Sequence, residues 1–203
     1  MTSITFGERQ IRPGKIICVG KNYAAHIEEM KSVPSEQMTV FMKPATSITG
    51  DLVAMRDEPV HFEGEICLLI QDGNVAGVGF GLDLTKRKIQ SKLKEAGLPW
   101  ERAKAFDGSA LFSPFVAAPE NLNELMMELH IDNELRQKGS PPQMLYPPNV
   151  ILEELNRFLT LEDGDVIMTG TPSGVGPIPK GSQFDGRILH NDLEITRASW
   201  MAT

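Results

Sequence analysis

A strand-and-loop domain with few helices is the fold class the sequence predicts, and three observations predict it. The 14 prolines and 18 glycines bracket many short segments, the punctuation of short strands joined by turns. Several of these segments are apolar and strand-like, whereas convincing helical periodicity is confined to two stretches. The 203 residues suffice to bury one core, and neither a repeat nor a linker-like composition divides them, so a single domain over 1–203 is expected.

In chain order, a strand is expected over 15–20, then a short helix from near Asn22 that carries His26 and Glu29. Strands over 64–70 and 76–84 follow. The next helix starts after Asp83 or Thr85 and places Ile89, Leu93 and Ala96 at spacings of four and three. Gly97 closes it as a C-terminal cap, with Pro99 just beyond. A strand over 125–131 precedes a helix over about 149–158, in which Val150, Ile151, Leu155 and Phe158 form one apolar stripe. A strand over 165–169 completes the pattern.

Composition excludes several function classes. Hydrophobic residues at 41% and charged residues at 23% are ordinary for a globular chain. Twenty Lys and Arg against 27 Asp and Glu give a net charge of -7 without a basic cluster, which disfavours nucleic acid and anionic membrane surfaces as partners. The longest strongly apolar run covers only 66–70, far short of the roughly 20 residues of a membrane span. The start MTSITFGERQ has no basic stretch leading into an apolar segment, and a soluble, cytoplasmic protein is expected. Cys18 and Cys67 are the two cysteines; both lie in apolar runs, as packed core thiols in a reducing compartment do.

The stretch His61-Phe62-Glu63-Gly64-Glu65 opens directly into Ile66-Cys67-Leu68-Leu69-Ile70. In one continuous strand, His61, Glu63 and Glu65 share a face, with alpha carbons two apart at roughly 6.6 Å. Two such glutamates repel unless a cation joins them or one takes a proton. An exposed strand edge with solvated acids fits the same spacing. Asp83 suits a helix N-cap, and equally a third oxygen donor. Three carboxylates without sulfur match a hard dication such as Mg²⁺ or Mn²⁺. Three acids against one dication leave a net negative charge, so an anionic ligand would need added cations; Arg87 and Lys104 are candidates, although either also fits a solvated surface. Arg87 and Gln90, three apart, share a helix face.

Seven blocks, ICVGKNYAAHIEEM, FMKPATSI, HFEGE, LDLTKRKIQ, GLPWERAKAFD, IDNELRQ and GDVIMTGTPSGVG, stand in the order found in the fumarylacetoacetate hydrolase family. From about Ile16 to Gly176 the chain resembles its short, stand-alone branch, which includes acylpyruvate hydrolases and oxaloacetate decarboxylases or tautomerases. The resemblance implies an α+β, mainly β fold: packed mixed β-sheets of the fumarylacetoacetate hydrolase C-terminal-domain type with few helices. It implies Mg²⁺ or Mn²⁺ on Glu63, Glu65 and Asp83, and Lys104 beside metal and substrate. Arg87, Gln90 and Lys43 would line the pocket, and Gly170, Thr171 and Pro172 would meet the substrate carboxylate. His26 and Glu29 match a pair that positions or activates water. A homodimer acting on a small 2-oxo acid is expected.

A metal that polarises the C2 carbonyl of a 2-oxo acid makes it an electron sink for charge arriving at C3. That sink serves hydrolysis of an acylpyruvate, decarboxylation of oxaloacetate, or tautomerisation or isomerisation of an enolisable dicarboxylic acid. A metal-binding scaffold without turnover also fits. Departures from the family pattern bear on substrate choice more than on metal binding. They are a tight QDGN turn where relatives carry a longer insertion, Lys88 after Arg87, Gly108, and the segment after Gly176.

Overall fold

The computed structural model describes residues 2–30 and 37–203. Its backbone is a seven-stranded sheet that runs, edge to edge, through Ala110–Phe112, Asn74–Asp83, Gly64–Gln71, Val166–Met168, Ile16–Gly20 and Thr39–Lys43, with Val116–Ala117 added alongside Asn74–Asp83. Ile16–Gly20 and Val166–Met168 pair in parallel and the other neighbours antiparallel, so the sheet is mixed. A four-stranded antiparallel sheet, Glu134–Gly139, Leu125–Ile131, Gln183–His190 and Leu193–Met201, packs on one face. A smaller sheet joins Gly176–Pro177, Glu58–Phe62 and Met55–Arg56, with Thr85–Lys86 beside Glu58–Phe62.

The core sits on both faces of the central sheet, and strand alternation divides it. Ile66, Leu68 and Ile70 face the four-stranded sheet with Val78, Phe80, Leu82, Met127, Phe184 and Ile188, while Cys67 and Leu69 face a second cluster with Cys18, Val166, Met168 and Phe115. Both cysteines are free and buried. Tight turns set the register. Asp72 and Gly73 have φ of 51° and 71° and Asp132 and Asn133 of 51° and 68°, the paired positive values of two-residue hairpin turns for which Asp, Asn and Gly are suited.

The expected strands are present, with Leu125–Ile131 at the bounds read from sequence. Three expectations are corrected. The acidic segment is not one continuous strand: it breaks at Glu63, between Glu58–Phe62 and Gly64–Gln71, which belong to different sheets. Asp83 does not cap a helix; the helix spans Arg87–Glu95 with Lys86 at its N-cap, and its Lys88 N–H is taken up by Glu58 Oε1 at 2.8 Å. The helix expected to reach Phe158 spans Pro148–Leu155, and Phe158 lies beyond it, exposed. Among the described residues, no helix is long and apolar enough to cross a membrane.

The approach of the two main sheets depends on Gly186, where an added Cβ would overlap the Phe80 ring. Gly186→Ala should therefore cost about 1–3 kcal/mol of stability through overpacking, read as a lowered urea midpoint with an unchanged slope.

Candidate active site

The hairpin of Gly64–Gln71 and Asn74–Asp83 gathers the acids. Gly64 stands opposite Leu82 and Glu65 opposite Gly81, and beyond the paired strands Asp83 N–H donates to Glu63 O at 2.8 Å. Residues facing each other across an antiparallel pair share a face, so Glu63, Glu65 and Asp83 converge, with ligand-capable oxygens all within 4.8 Å of one another. Gly81 leaves the space between them and the core: a Cβ there would stand 2.5 Å from Cys67 Sγ. All three acids are buried.

Three buried anions require compensation. Lys104, at the end of the short helix Glu101–Lys104, places Nζ 2.6 Å from Glu63 Oε2 and 2.7 Å from Asp83 Oδ2. The Phe41 ring lies 5.1 Å beneath that ammonium. Arg87 Nη2 pairs with Glu63 Oε1 and its Nη1 donates to Gln90 Oε1 at 2.8 Å. Lys43, fully buried, approaches Asp83 Oδ1 to 2.8 Å, yet its hydrogen-bond acceptors are Lys104 O, Ser109 Oγ and Leu84 O. Asp83 Oδ1 thus remains a buried oxygen without a hydrogen-bond donor, although a cation stands close. Glu65 Oε2 accepts a single backbone N–H, from Gly170 at 2.7 Å.

These surroundings set the acids apart. Burial, with Asp83 and Glu63 beside it, pushes Glu65 well above the usual carboxylate range. Burial acts on Glu63 in the same sense, but Lys104 and Arg87 outweigh it and hold Glu63 below that range. Burial disfavours the charged form of Lys104, and Asp83 and Glu63 more than restore it. Among the described residues no cation forms an ion pair with Glu65, and a hard cation among the three oxygens would supply one. The donor set fits a divalent ion: Glu63, Glu65 and Asp83 would hold it.

His26 and Glu29 lie on the short helix Ala24–Glu29, with Nδ1 3.4 Å from Glu29 Oε2. Gly174 N–H donates to both Glu29 oxygens at 3.0 and 3.2 Å. Gly170 and Gly174 each have φ of 102°, where a side chain is strained, and a Cβ would strike Asn22 and Val19 O in the first case and Arg136 O in the second. The glycine-rich segment therefore works through its backbone, one N–H on Glu65 and one on Glu29.

One cleft brings His26, Glu63, Glu65, Asp83, Arg87, Gln90, Lys104 and Thr171 together. Lys43 supports Asp83 from the core and Gly170 supports Glu65, while Pro172 O accepts from Gln137 Nε2 at 2.9 Å; none of these three is part of the cleft lining. His61 also stands outside it. Sequence reading missed Lys21, Met30, Phe41, Lys94 and Trp100, which line the cleft, and Gln137, which is buried and holds Gly64 N, Thr171 Oγ1 and Pro172 O. Lys94 had a legible signal: it continues the Arg87 and Gln90 face at a spacing of four.

The raised Glu65 pKa has a definite sign. A carboxyl whose folded pKa exceeds its unfolded value adds stability at pH below the unfolded pKa, and this contribution is lost as pH rises towards the folded pKa. Glu65→Gln should therefore raise the neutral-pH melting temperature of metal-free protein and abolish the further rise that Mn²⁺ gives the native chain, both read by thermal denaturation with and without the ion.

Residues 15–197 match the family model described as fumarylacetoacetate (FAA) hydrolase C-terminal. The chain is 39% identical over 198 residues to the oxaloacetate tautomerase YcgM of Escherichia coli, covering 86% of this chain and 90% of that one. It is 33% identical over 190 residues to the human mitochondrial oxaloacetate tautomerase FAHD1, covering 85% and 86%. Fumarylpyruvate hydrolase from Pseudomonas aeruginosa, solved in complex with Mn²⁺ and pyruvate, superposes with a TM-score of 0.89 at 30% identity, covering 99% of this chain and 95% of that one. Hairpin, acid cluster and matching sequence agree: the chain belongs to the fumarylacetoacetate hydrolase family.

Proposed function

We propose that this protein is a divalent-metal-dependent enzyme of small 2-oxo acids whose main reaction is keto–enol tautomerisation of oxaloacetate. The observation that carries the reading is the cluster of three buried carboxylates shared with Lys104 and Arg87 at the floor of a cleft that also holds His26. Oxaloacetate tautomerases among the relatives support the reaction, and the Mn²⁺ and pyruvate of a structural neighbour support the metal and the 2-oxo acid head group.

Glu63, Glu65 and Asp83 would hold Mg²⁺ or Mn²⁺, which when bound supplies a Lewis acid for the substrate's oxygens. In the keto-to-enol direction a proton leaves C3 and another arrives at the C2 oxygen. His26, with Nδ1 directed at Glu29, offers Nε2 to take the first. Lys104 Nζ, kept charged by Glu63 and Asp83, stabilises negative charge at C2–O and can deliver the second. The protein is taken to act as a homodimer.

A second reading, hydrolysis of an acylpyruvate, draws on the clamping of Glu29 by Gly174, since a fixed His–Glu pair also suits activation of water for attack at C4. Decarboxylation of oxaloacetate would use the same enolate and need no such water.

Purified protein with Mg²⁺ or Mn²⁺ should speed decay of the enol absorbance of oxaloacetate without releasing pyruvate; no acceleration with either ion would sink the tautomerase reading. Lys104→Gln should lower kcat by about 10²–10³-fold, the size expected for losing a group that stabilises developing charge, in protein whose melting curve shows it folded. His26→Ala should cost about 10²–10⁴-fold. If that loss falls on pyruvate release from a 2,4-dioxo acid and spares tautomerisation, hydrolysis becomes the leading reaction.

A further inference from the structure

The helix Arg87–Glu95 turns a polar stripe, Arg87, Gln90 and Lys94, into the cleft. Lys21, just after the strand Ile16–Gly20, adds its side chain to the same lining. The acids of the cleft are already committed. Glu63 holds Arg87 and Lys104, Asp83 stands against Lys104 and Lys43, and Glu65 takes the Gly170 N–H. Lys94, by contrast, forms no hydrogen bond or ion pair among the described residues. Partial burial and the like charges of Lys21 and Arg87 pull its pKa below that of free lysine. Arg87 Nε is buried with no acceptor among the described residues. An ammonium such as that of Lys94, partly buried among other cations and without a bonded carboxylate among the described residues, is unfavourable unless an anion joins it.

We propose that Lys94 is a specificity residue that receives the distal carboxylate of the substrate, so that the cleft selects dicarboxylic over monocarboxylic 2-oxo acids. The acid cluster and Lys104 take the 2-oxo acid end, and Lys94, two turns along the helix from Arg87, takes the other. A neutral acyl chain offers this ammonium no hydrogen-bond acceptor of opposite charge. The assignment rests on the 2-oxo acid reading above and deepens it.

The test is Lys94→Gln, with Lys94→Arg as the charge-conserving control, assayed on enol-oxaloacetate and on acetylpyruvate with Mn²⁺. Lys94→Gln should raise KM for oxaloacetate about tenfold more than for acetylpyruvate, the scale of one hydrogen bond to a charged group, with the loss in KM rather than kcat and largely restored in Lys94→Arg. Calorimetric binding of L-malate and L-lactate, inert acids that differ by the distal carboxylate, gives a readout independent of turnover. Native protein should prefer malate, and Lys94→Gln should narrow that preference. Equal effects on both members of each pair, or no malate preference in native protein, overturn the assignment. A Lys94-dependent malate preference in a protein that turns over neither 2-oxo acid would instead uphold the subsite and overturn the proposed reaction.

Discussion

The constraint on which the rest depends is the burial of three carboxylates on one face of one hairpin. Water would ordinarily solvate such groups, and their mutual repulsion grows as it is excluded. The fold answers with cations drawn from three directions: Lys104 from a short helix, Arg87 from the start of a longer one, and Lys43 from an edge strand through the core. Each of those elements is held where it is by ordinary packing. The site is therefore a property of the whole domain rather than of a loop attached to it.

The compensation is uneven, and the unevenness carries the chemistry. Glu63 is gripped by two cations, whereas Glu65 has one backbone N–H and two negative neighbours. Asp83 Oδ1 has no hydrogen-bond donor among the described residues, only the Lys43 charge 2.8 Å away. A cluster that was fully satisfied by the protein would have no use for an ion. Here three protein cations face three acids, so adding a dication leaves the cleft positive overall and receptive to an anionic substrate. This resolves the charge deficit read from sequence, where Arg87 and Lys104 were the cations in view and Lys43 was expected to line the pocket.

Much of this was legible in the chain. The strands announced themselves as apolar runs bounded by turn residues, and the pairing of Glu63 with Glu65 follows from alternation even though the strand breaks at Glu63. The break itself was hidden, because Glu58–Phe62 changes sheets to pair with Thr85–Lys86 and Gly176–Pro177, partners distant in sequence. The same is true of Gln137, whose amide bonds to backbone and side chain on two other segments. Periodicity also overran the helix Pro148–Leu155: Phe158 fits its stripe by spacing, but the chain leaves the helix before reaching it and the ring faces solvent. Local pattern reports which faces are apolar, and remote partners decide where an element ends.

The hairpin joins its two strands through Asp72 and Gly73, at the opposite end from the acids, with a register shift between Leu69 and Ile70. Length changes at that turn can be absorbed where they occur, since they alter neither which residues face each other near Glu63 nor the side from which they project. An insertion of one residue between Ile66 and Leu69 would instead slide Glu65 out of step with Gly81 and turn it to the opposite face. Evolutionary variation in loop length is thus free at one end of this element and forbidden along the stretch leading to the other.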